Sequence, residues 1–218
     1  MTEFLLATTK FFYKLLLQDF SESPISENFW SHHYPSVCFR SLYRVVNQCH
    51  LPPECVSLNY RVATNTIFTL SKLQRINKVD DGTCLLCNRV TEDLFHLWCD
   101  CPTLQSFKSF IIDTIENVLL QDNQSIIIDF SQVMLLGYLN QNKKVNTYFL
   151  NFILSVARIS VYKTRQIKVF EGKNIDTKRL FIYSMHRYVQ YAFTYYKMKN
   201  KLNLFNKYFS EKKPTYMV

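Results

Sequence analysis

Apolar residues recur at steps of three and four along most of this chain, which is the spacing of amphipathic helices. The pattern breaks over 78–90, where polar residues and two cysteines collect, and it returns over 92–98 before Pro102. An apolar run at 126–128 fits either a short strand or an extended connector. We therefore predict a mainly α-helical fold with a loop and short helix inserted between helices. The longer helices are expected at 2–20, 36–49, 67–76, 103–121, 145–166 and 175–200.

Length and glycine content narrow the class of protein. The chain has 218 residues, about one domain by length, and its three glycines leave no room for a Gly-rich phosphate-binding loop. No repeat or long linker divides it, so we predict a single domain over 1–218. Its parts are N-terminal helices at 1–77, the loop and short helix at 78–102, and C-terminal helices at 103–218.

The strongest chemical motif is Cys84-Leu-Leu-Cys87, followed by His96 and Cys101. Two cysteines separated by two residues can bind one tetrahedral ion, because the backbone between them turns back and directs both thiolates to one side. Ligands from the following short helix would complete the set. Three thiolates and one imidazole favour Zn²⁺ over hard ions such as Mg²⁺. The odd number of cysteines, seven, also fits reduced thiols and a metal site better than paired disulfides.

Cys99 competes with Cys101 for the fourth position. His96 and Cys99 are three residues apart and share a helical face. His96 and Cys101 are five apart, which requires the helix to end, and Pro102 provides the reason for that end. We prefer Cys101 as the ligand and keep Cys99 as the alternative.

Charge is distributed unevenly along the chain. Residues 1–140 contain ten Lys and Arg against fourteen Asp and Glu, whereas residues 141–218 contain sixteen against three. Cations interleaved with tyrosines can neutralise phosphates and stack on unpaired bases, so we expect RNA or single-stranded DNA as the partner. The candidate nucleic-acid-binding residues are Arg158, Lys163, Arg165, Lys178, Arg179, Arg187 and Lys197.

The N-terminus argues against secretion. Glu3 stands where a signal peptide carries cations, and Lys10 and Lys14 interrupt the apolar run. The least polar stretch, 145–157, is too short and too polar for a membrane span. We therefore expect an intracellular protein, nuclear or cytoplasmic, without a membrane partner or a small-molecule substrate.

Three segments, in order, carry a resemblance to a known family. They are the motif from Cys84 to Pro102 with its Glu92 and His96-Leu, the upstream stretch 60–73, and the helix at 150–165. Together they resemble the zinc-binding region near the C-terminus of LINE-type non-LTR retrotransposon reverse transcriptases. The resemblance implies a CCHC zinc-binding domain that contacts nucleic acid during target-primed reverse transcription, beside the polymerase portion of a parent protein.

The polymerase part of that family has no counterpart here. Its aromatic-x-Asp-Asp motif, which holds Mg²⁺, is matched only by Lys78-Val79-Asp80-Asp81, which lacks the aromatic residue and fits a turn before the metal loop. We therefore expect a chain that is not an enzyme. The alternatives are a zinc-stabilised protein–protein interaction module and an inert fragment of a truncated element.

Overall fold

The computed structural model describes residues 24–48, 50–120, 129–139 and 146–209. Within these ranges the protein is mainly helical, as the sequence predicts. The predicted helix at 2–20 and the apolar run at 126–128 lie outside the described residues. The α-helices are α1 (Ile25–His33), α2 (Phe39–Gln48), α3 (Pro53–Ala63), α4 (Leu70–Arg75), α5 (Gln105–Leu120), α6 (Phe130–Leu136), α7 (Thr147–Glu171), α8 (Thr177–Met198) and α9 (Leu202–Phe209).

The chain divides into two compact units, Met1–Ser36 and Val37–Val218. The described part of the first unit is α1 and the residues beside it. There Trp30 is fully buried, and its ring stacks on Tyr34 with 6.2 Å between centroids. All the features described below belong to the second unit.

Helix α7 is the centre of the second unit. Sixteen of its 25 residues are buried, and α3, α5, α6, α8 and α9 all pack against it. Its N-terminus is capped by Asn146, whose side-chain oxygen accepts from the Phe149 backbone N–H at 3.1 Å. Gly172 caps its C-terminal end and adopts the left-handed conformation, at φ 66°, that glycine reaches without strain. The helix therefore runs five residues beyond the predicted end at 166.

Helix α8 packs along α7 through one apolar stripe. The stripe follows helical spacing, and its buried members are Phe181, Met185, Tyr188, Ala192 and Tyr196. Asp176 begins the helix, and its carboxylate accepts from the backbone N–H groups of Lys178 and Arg179. The other side of α8 faces outward.

Two short helices, α6 and α9, are not predicted by the sequence pattern. Helix α6 has seven residues and α9 has eight, which is too few turns for a periodic pattern to stand out. Each is fixed by contacts distant in sequence. Phe209 of α9, for example, packs edge-on against Phe152 of α7 at 5.0 Å between ring centroids.

Candidate metal centre

Four side chains of the cysteine motif converge between the helices. One ligand atom from each of Cys84, Cys87, His96 and Cys101 lies within 4.8 Å of every other. The Sγ atoms of Cys84 and Cys101 are 4.0 Å apart, and Cys87 Sγ is 3.4 Å from His96 Nε2. Cys84, His96 and Cys101 are buried, and Cys87 is half-buried. This cluster can hold one metal ion.

A tight turn presents the first two cysteines. The backbone N–H of Asn88 donates to the Cys84 carbonyl at 2.7 Å, and Asn88 adopts a positive φ of 52°. Thr83 and Thr91 pair as an antiparallel bridge on either side of the turn. Gly82 precedes the turn, where the backbone of α4 approaches closely: a Cβ at Gly82 would lie 3.3 Å from the Ser71 Cα. The segment between the two bridged threonines thus closes into a loop that carries both thiols.

A π-helical turn supplies the second pair of ligands. The segment His96–Asp100 is π-helical, and the Cys101 backbone N–H donates to the His96 carbonyl at 2.9 Å. This i to i+5 bond brings Cys101 over His96, whereas an α-helical turn would superimpose His96 on residue 100. The helix ends at Asp100, before Cys101, as the sequence predicts, but its last turn is wider than an α-helical turn. Cys101 is extended, and Pro102 then begins a 3₁₀ turn, Pro102–Leu104.

Cys99 lies outside the cluster. Its side chain is buried away from the four ligands, and burial raises the pKa of its thiol to about 12. At the cluster, Cys84 and Cys101 share a hydrogen bond, which raises the pKa of the Cys84 thiol and lowers that of Cys101. Cys101 therefore lies with the other three predicted ligands, as preferred, whereas Cys99, the alternative fourth ligand, lies outside the cluster.

Serine at Cys101 is expected to reduce metal retention far more than serine at Cys99. Loss of a direct ligand should weaken metal affinity by more than the roughly 10–100-fold typical of outer-shell changes. Cys99→Ser should retain the wild-type metal content, because that thiol does not reach the cluster. Elemental analysis of both variants after gel filtration tests this, and equal losses would reverse the ligand assignment.

A buried ion pair connects the metal loop to α7. Both oxygens of Glu92 accept from Arg165 Nε at 2.9 Å, and Glu92 Oε1 lies 2.7 Å from Arg165 Nη2. The same carboxylate accepts the backbone N–H of Leu70 at the start of α4. The Glu92 side chain is fully buried, and that of Arg165 is 9% exposed. One carboxylate therefore joins the loop, α4 and α7.

Two predicted nucleic-acid contacts are wrong, because Arg158 and Arg165 are buried. Arg158 is 3% exposed and donates from Nη1 to the carbonyls of Met134 and Leu135 at 3.4 and 3.1 Å. These carbonyls belong to the last turn of α6, where a cation satisfies acceptors that the helix leaves open. Arg165 is the partner of Glu92. Both arginines stabilise the fold and are not available to phosphate.

Lys163 is also engaged within the protein. Its ammonium donates to Glu54 Oε1 at 3.0 Å and to the Tyr188 hydroxyl at 3.2 Å. Hydrogen bonds from Tyr188 and Lys163 lower the pKa of the Glu54 carboxyl. Lys163 is thus half-buried in a polar cluster.

The remaining predicted nucleic-acid-binding residues all lie on α8 and are exposed. They are Lys178, Arg179, Arg187 and Lys197.

Asp93 caps the short helix that carries His96. Its Oδ1 accepts the His96 backbone N–H at 2.7 Å, while Thr91 pairs with Thr83. Glu92 was recognised as part of the motif, but its role as an ion-pair partner was missed. The signal for that role was the position of Glu92 between a loop and an apolar helix. Such a position favours burial, and a buried carboxylate requires a cation.

The geometry defines a helical protein with a Cys₃His cluster that can hold a metal ion. Comparison with protein-family models, with curated proteins and with solved structures finds no match for this chain. Among the described residues, no helix combines the length and apolar character that crossing a membrane requires.

Proposed function

We propose that this chain is a zinc-binding, non-catalytic module that binds single-stranded nucleic acid. We further propose, from the resemblance of its motifs, that it derives from the C-terminal region of a LINE-type non-LTR reverse transcriptase. The polymerase portion of such a parent protein would be its natural partner. The observation that carries the nucleic-acid proposal is the outward face of α8.

Zinc suits the geometry of the cluster. With Zn–S near 2.3 Å and Zn–N near 2.0–2.1 Å, a tetrahedral site separates its ligand atoms by roughly 3.6–3.8 Å. The observed separations of 4.0 Å between Cys84 and Cys101 and 3.4 Å between Cys87 and His96 bracket this range. Since all four positions are filled by protein side chains, zinc at this site would stabilise the loop rather than activate a substrate.

The outward face of α8 is positively charged and aromatic. The helix contains four Lys and Arg and lacks Asp and Glu. Arg179, Tyr183, Arg187 and Lys197 lie on one side at helical spacing, and all four are exposed. The Arg187 guanidinium lies over the Tyr183 ring, 5.7 Å from its centroid. This arrangement supports phosphate binding by the cations and base stacking on Tyr183, which is 59% exposed.

A groove runs beside this face. Its volume is about 680 Å³, and its walls come from the start of α3 at Pro52 and Pro53 and from α8 at Arg187 and Tyr191. Tyr191 is 42% exposed, so a second aromatic surface is accessible there. A single strand that follows α8 could place a base in this groove, which supports single-stranded over double-stranded ligands.

The proposed absence of polymerase activity is supported by the acidic pair before the metal loop. The Asp81 carboxylate accepts from the backbone and hydroxyl of Thr83 at 2.9 and 2.7 Å. These hydrogen bonds lower the pKa of the Asp81 carboxyl and fix the residue as a turn former. The loop thus accounts for Asp81 without a catalytic role.

Reversing three charges on α8 is expected to weaken nucleic-acid binding strongly. Each phosphate contact to a single strand contributes about −0.7 to the slope of log K against log salt. Replacing Arg179, Arg187 and Lys197 with glutamate should therefore flatten the slope by about 2, with a large loss of affinity at low salt. Fluorescence anisotropy with labelled single-stranded RNA and DNA, at several salt concentrations, measures both quantities.

The matched control reverses three exposed cations elsewhere in the same unit. Replacing Arg40, Arg44 and Arg75 with glutamate changes net charge equally but leaves the α8 face intact. The control should lose much less affinity than the α8 variant. Equal losses would indicate non-specific attraction to net charge, and binding that is indifferent to salt would contradict the proposal.

A second candidate function is protein docking. It is favoured by exposed apolar side chains near the C-terminal end of α8 and the start of α9, namely Phe193, Met198 and Leu202. Salt separates the two candidates, because an apolar interface weakens little with salt whereas phosphate binding weakens steeply.

A further inference from the structure

A cleft lies between the metal loop and the corner that joins α7 to α8. Its volume is about 410 Å³, within the range of about 300–1,000 Å³ of small-molecule sites. One wall comes from the metal loop and the start of α5, and the other from the corner. The residues that characterise the two walls are Leu86, Thr103 and Phe107, and Lys168, Lys173 and Lys178.

The corner side of the cleft carries excess positive charge. Lys168 is half-buried and forms no ion pair or side-chain hydrogen bond within the described residues. Lys173 pairs with the exposed Glu171 at 2.8 Å, and Lys178 lies over the Phe110 ring at 4.4 Å from its centroid. Asp176 also lines the cleft, but its carboxylate is occupied by backbone N–H groups of α8. An anionic group would complement this wall.

The opposite wall is apolar and hydroxyl-bearing. Leu86 lies between the two cysteines of the metal turn, and its carbonyl accepts from Thr103 Oγ1 at 2.9 Å. Thr103 follows Cys101 by two residues. This wall is therefore attached at both ends to metal ligands. An apolar wall facing a cationic wall complements a molecule with one apolar part and one anionic part.

We propose that this cleft binds one nucleotide unit, with its phosphate toward Lys168, Lys173 and Lys178 and its sugar and base against Leu86 and Thr103. This inference rests on the proposed function, because the nucleotide would belong to the strand held along α8. The cleft adjoins the start of α8, so a strand that follows this helix can enter it. Charge-assisted hydrogen bonds from the lysines would provide most of the selectivity for phosphate.

The test uses the full, metal-loaded chain and adenosine 5′-monophosphate as the probe. Isothermal titration or ligand-observed NMR should detect binding of this nucleotide, weaker binding of inorganic phosphate, and the weakest binding of adenosine. Lys168→Glu should weaken nucleotide binding by about 10–100-fold, the cost of losing one charge-assisted hydrogen bond. Ser106→Tyr should also weaken it by filling the cleft without changing charge, because Ser106 is exposed and lines the cleft.

The matched control is Lys207→Glu, a change at an exposed lysine of α9 remote in sequence from the cleft. It should leave nucleotide binding unchanged. Failure of the nucleotide to bind, or equal effects of Lys168→Glu and Lys207→Glu, would overturn the cleft proposal even where strand binding persists. Nucleotide binding lost in Lys168→Glu and Ser106→Tyr would support it. If no strand binds but the nucleotide does, the cleft stands and the proposed strand-binding function fails.

Discussion

Replacing Cys84 with serine is expected to remove the metal ion and unfold the loop from 84 to 101. Cys84 is fully buried and its Sγ lies 4.0 Å from that of Cys101 across the cluster, so serine at this position removes one of the four ligand atoms. Loss of a structural metal ranks among the largest single-site effects, and we expect about 4 kcal/mol or more of lost stability. For a chain of this size that corresponds to a fall in Tm of about 8–16 °C.

Elemental analysis and thermal unfolding by circular dichroism measure these two effects. Wild-type protein should bind one zinc ion, and treatment with a chelator should bring its Tm down to that of Cys84→Ser. The same chelator should leave the Tm of the variant unchanged. Cys38→Ser is the matched control, since Cys38 is exposed and outside the cluster, and it should retain both metal and Tm. Full zinc content in Cys84→Ser would contradict the site.

Replacing Arg165 with methionine should destabilise the fold by about 3–5 kcal/mol, because it leaves the Glu92 carboxylate buried without its cation. That carboxylate is fully buried and accepts from both Arg165 and the Leu70 backbone. Urea unfolding gives the free-energy change directly. Adding Glu92→Gln to the methionine variant should restore part of the stability, since the uncompensated charge is removed while an acceptor for Leu70 remains.

The exposed pair of Lys173 and Glu171 provides the control. Lys173→Met removes an ion pair of similar length, 2.8 Å, in which both side chains are at least half exposed. It should change stability little, because solvent screens such pairs. Strictly additive effects of the two replacements at 92 and 165 would show that these residues do not interact energetically.

The metal cluster was accessible to sequence reasoning because its chemistry is local. Cys84, Cys87, His96 and Cys101 lie within 18 residues, and their spacing alone predicts convergence on one point. The choice of Cys101 over Cys99 followed from Pro102. The widening of the helix into a π-turn could not be predicted, since it results from a hydrogen bond to His96 that no residue type specifies.

The burial of Arg158 and Arg165 could not be predicted, because their partners are distant along the chain. Arg158 contacts carbonyls of α6, a helix too short to detect, and Arg165 contacts Glu92, 73 residues away. For a cation in an apolar helix whose partner is unknown, the sequence predicts an exposed position, since unpaired charges are rarely buried. The α8 cations are exposed because the apolar stripe of that helix lies on its other side.

The π-turn also bears on how much length variation the site tolerates. In an ordinary α-helix the residue that overlies His96 is four positions ahead, and in the π-turn it is five positions ahead. Deleting one residue from the turn would therefore place the cysteine four positions ahead, where an α-helical turn again superimposes it on His96. A chain with three instead of the present four residues between His96 and its cysteine can thus keep the same coordination geometry.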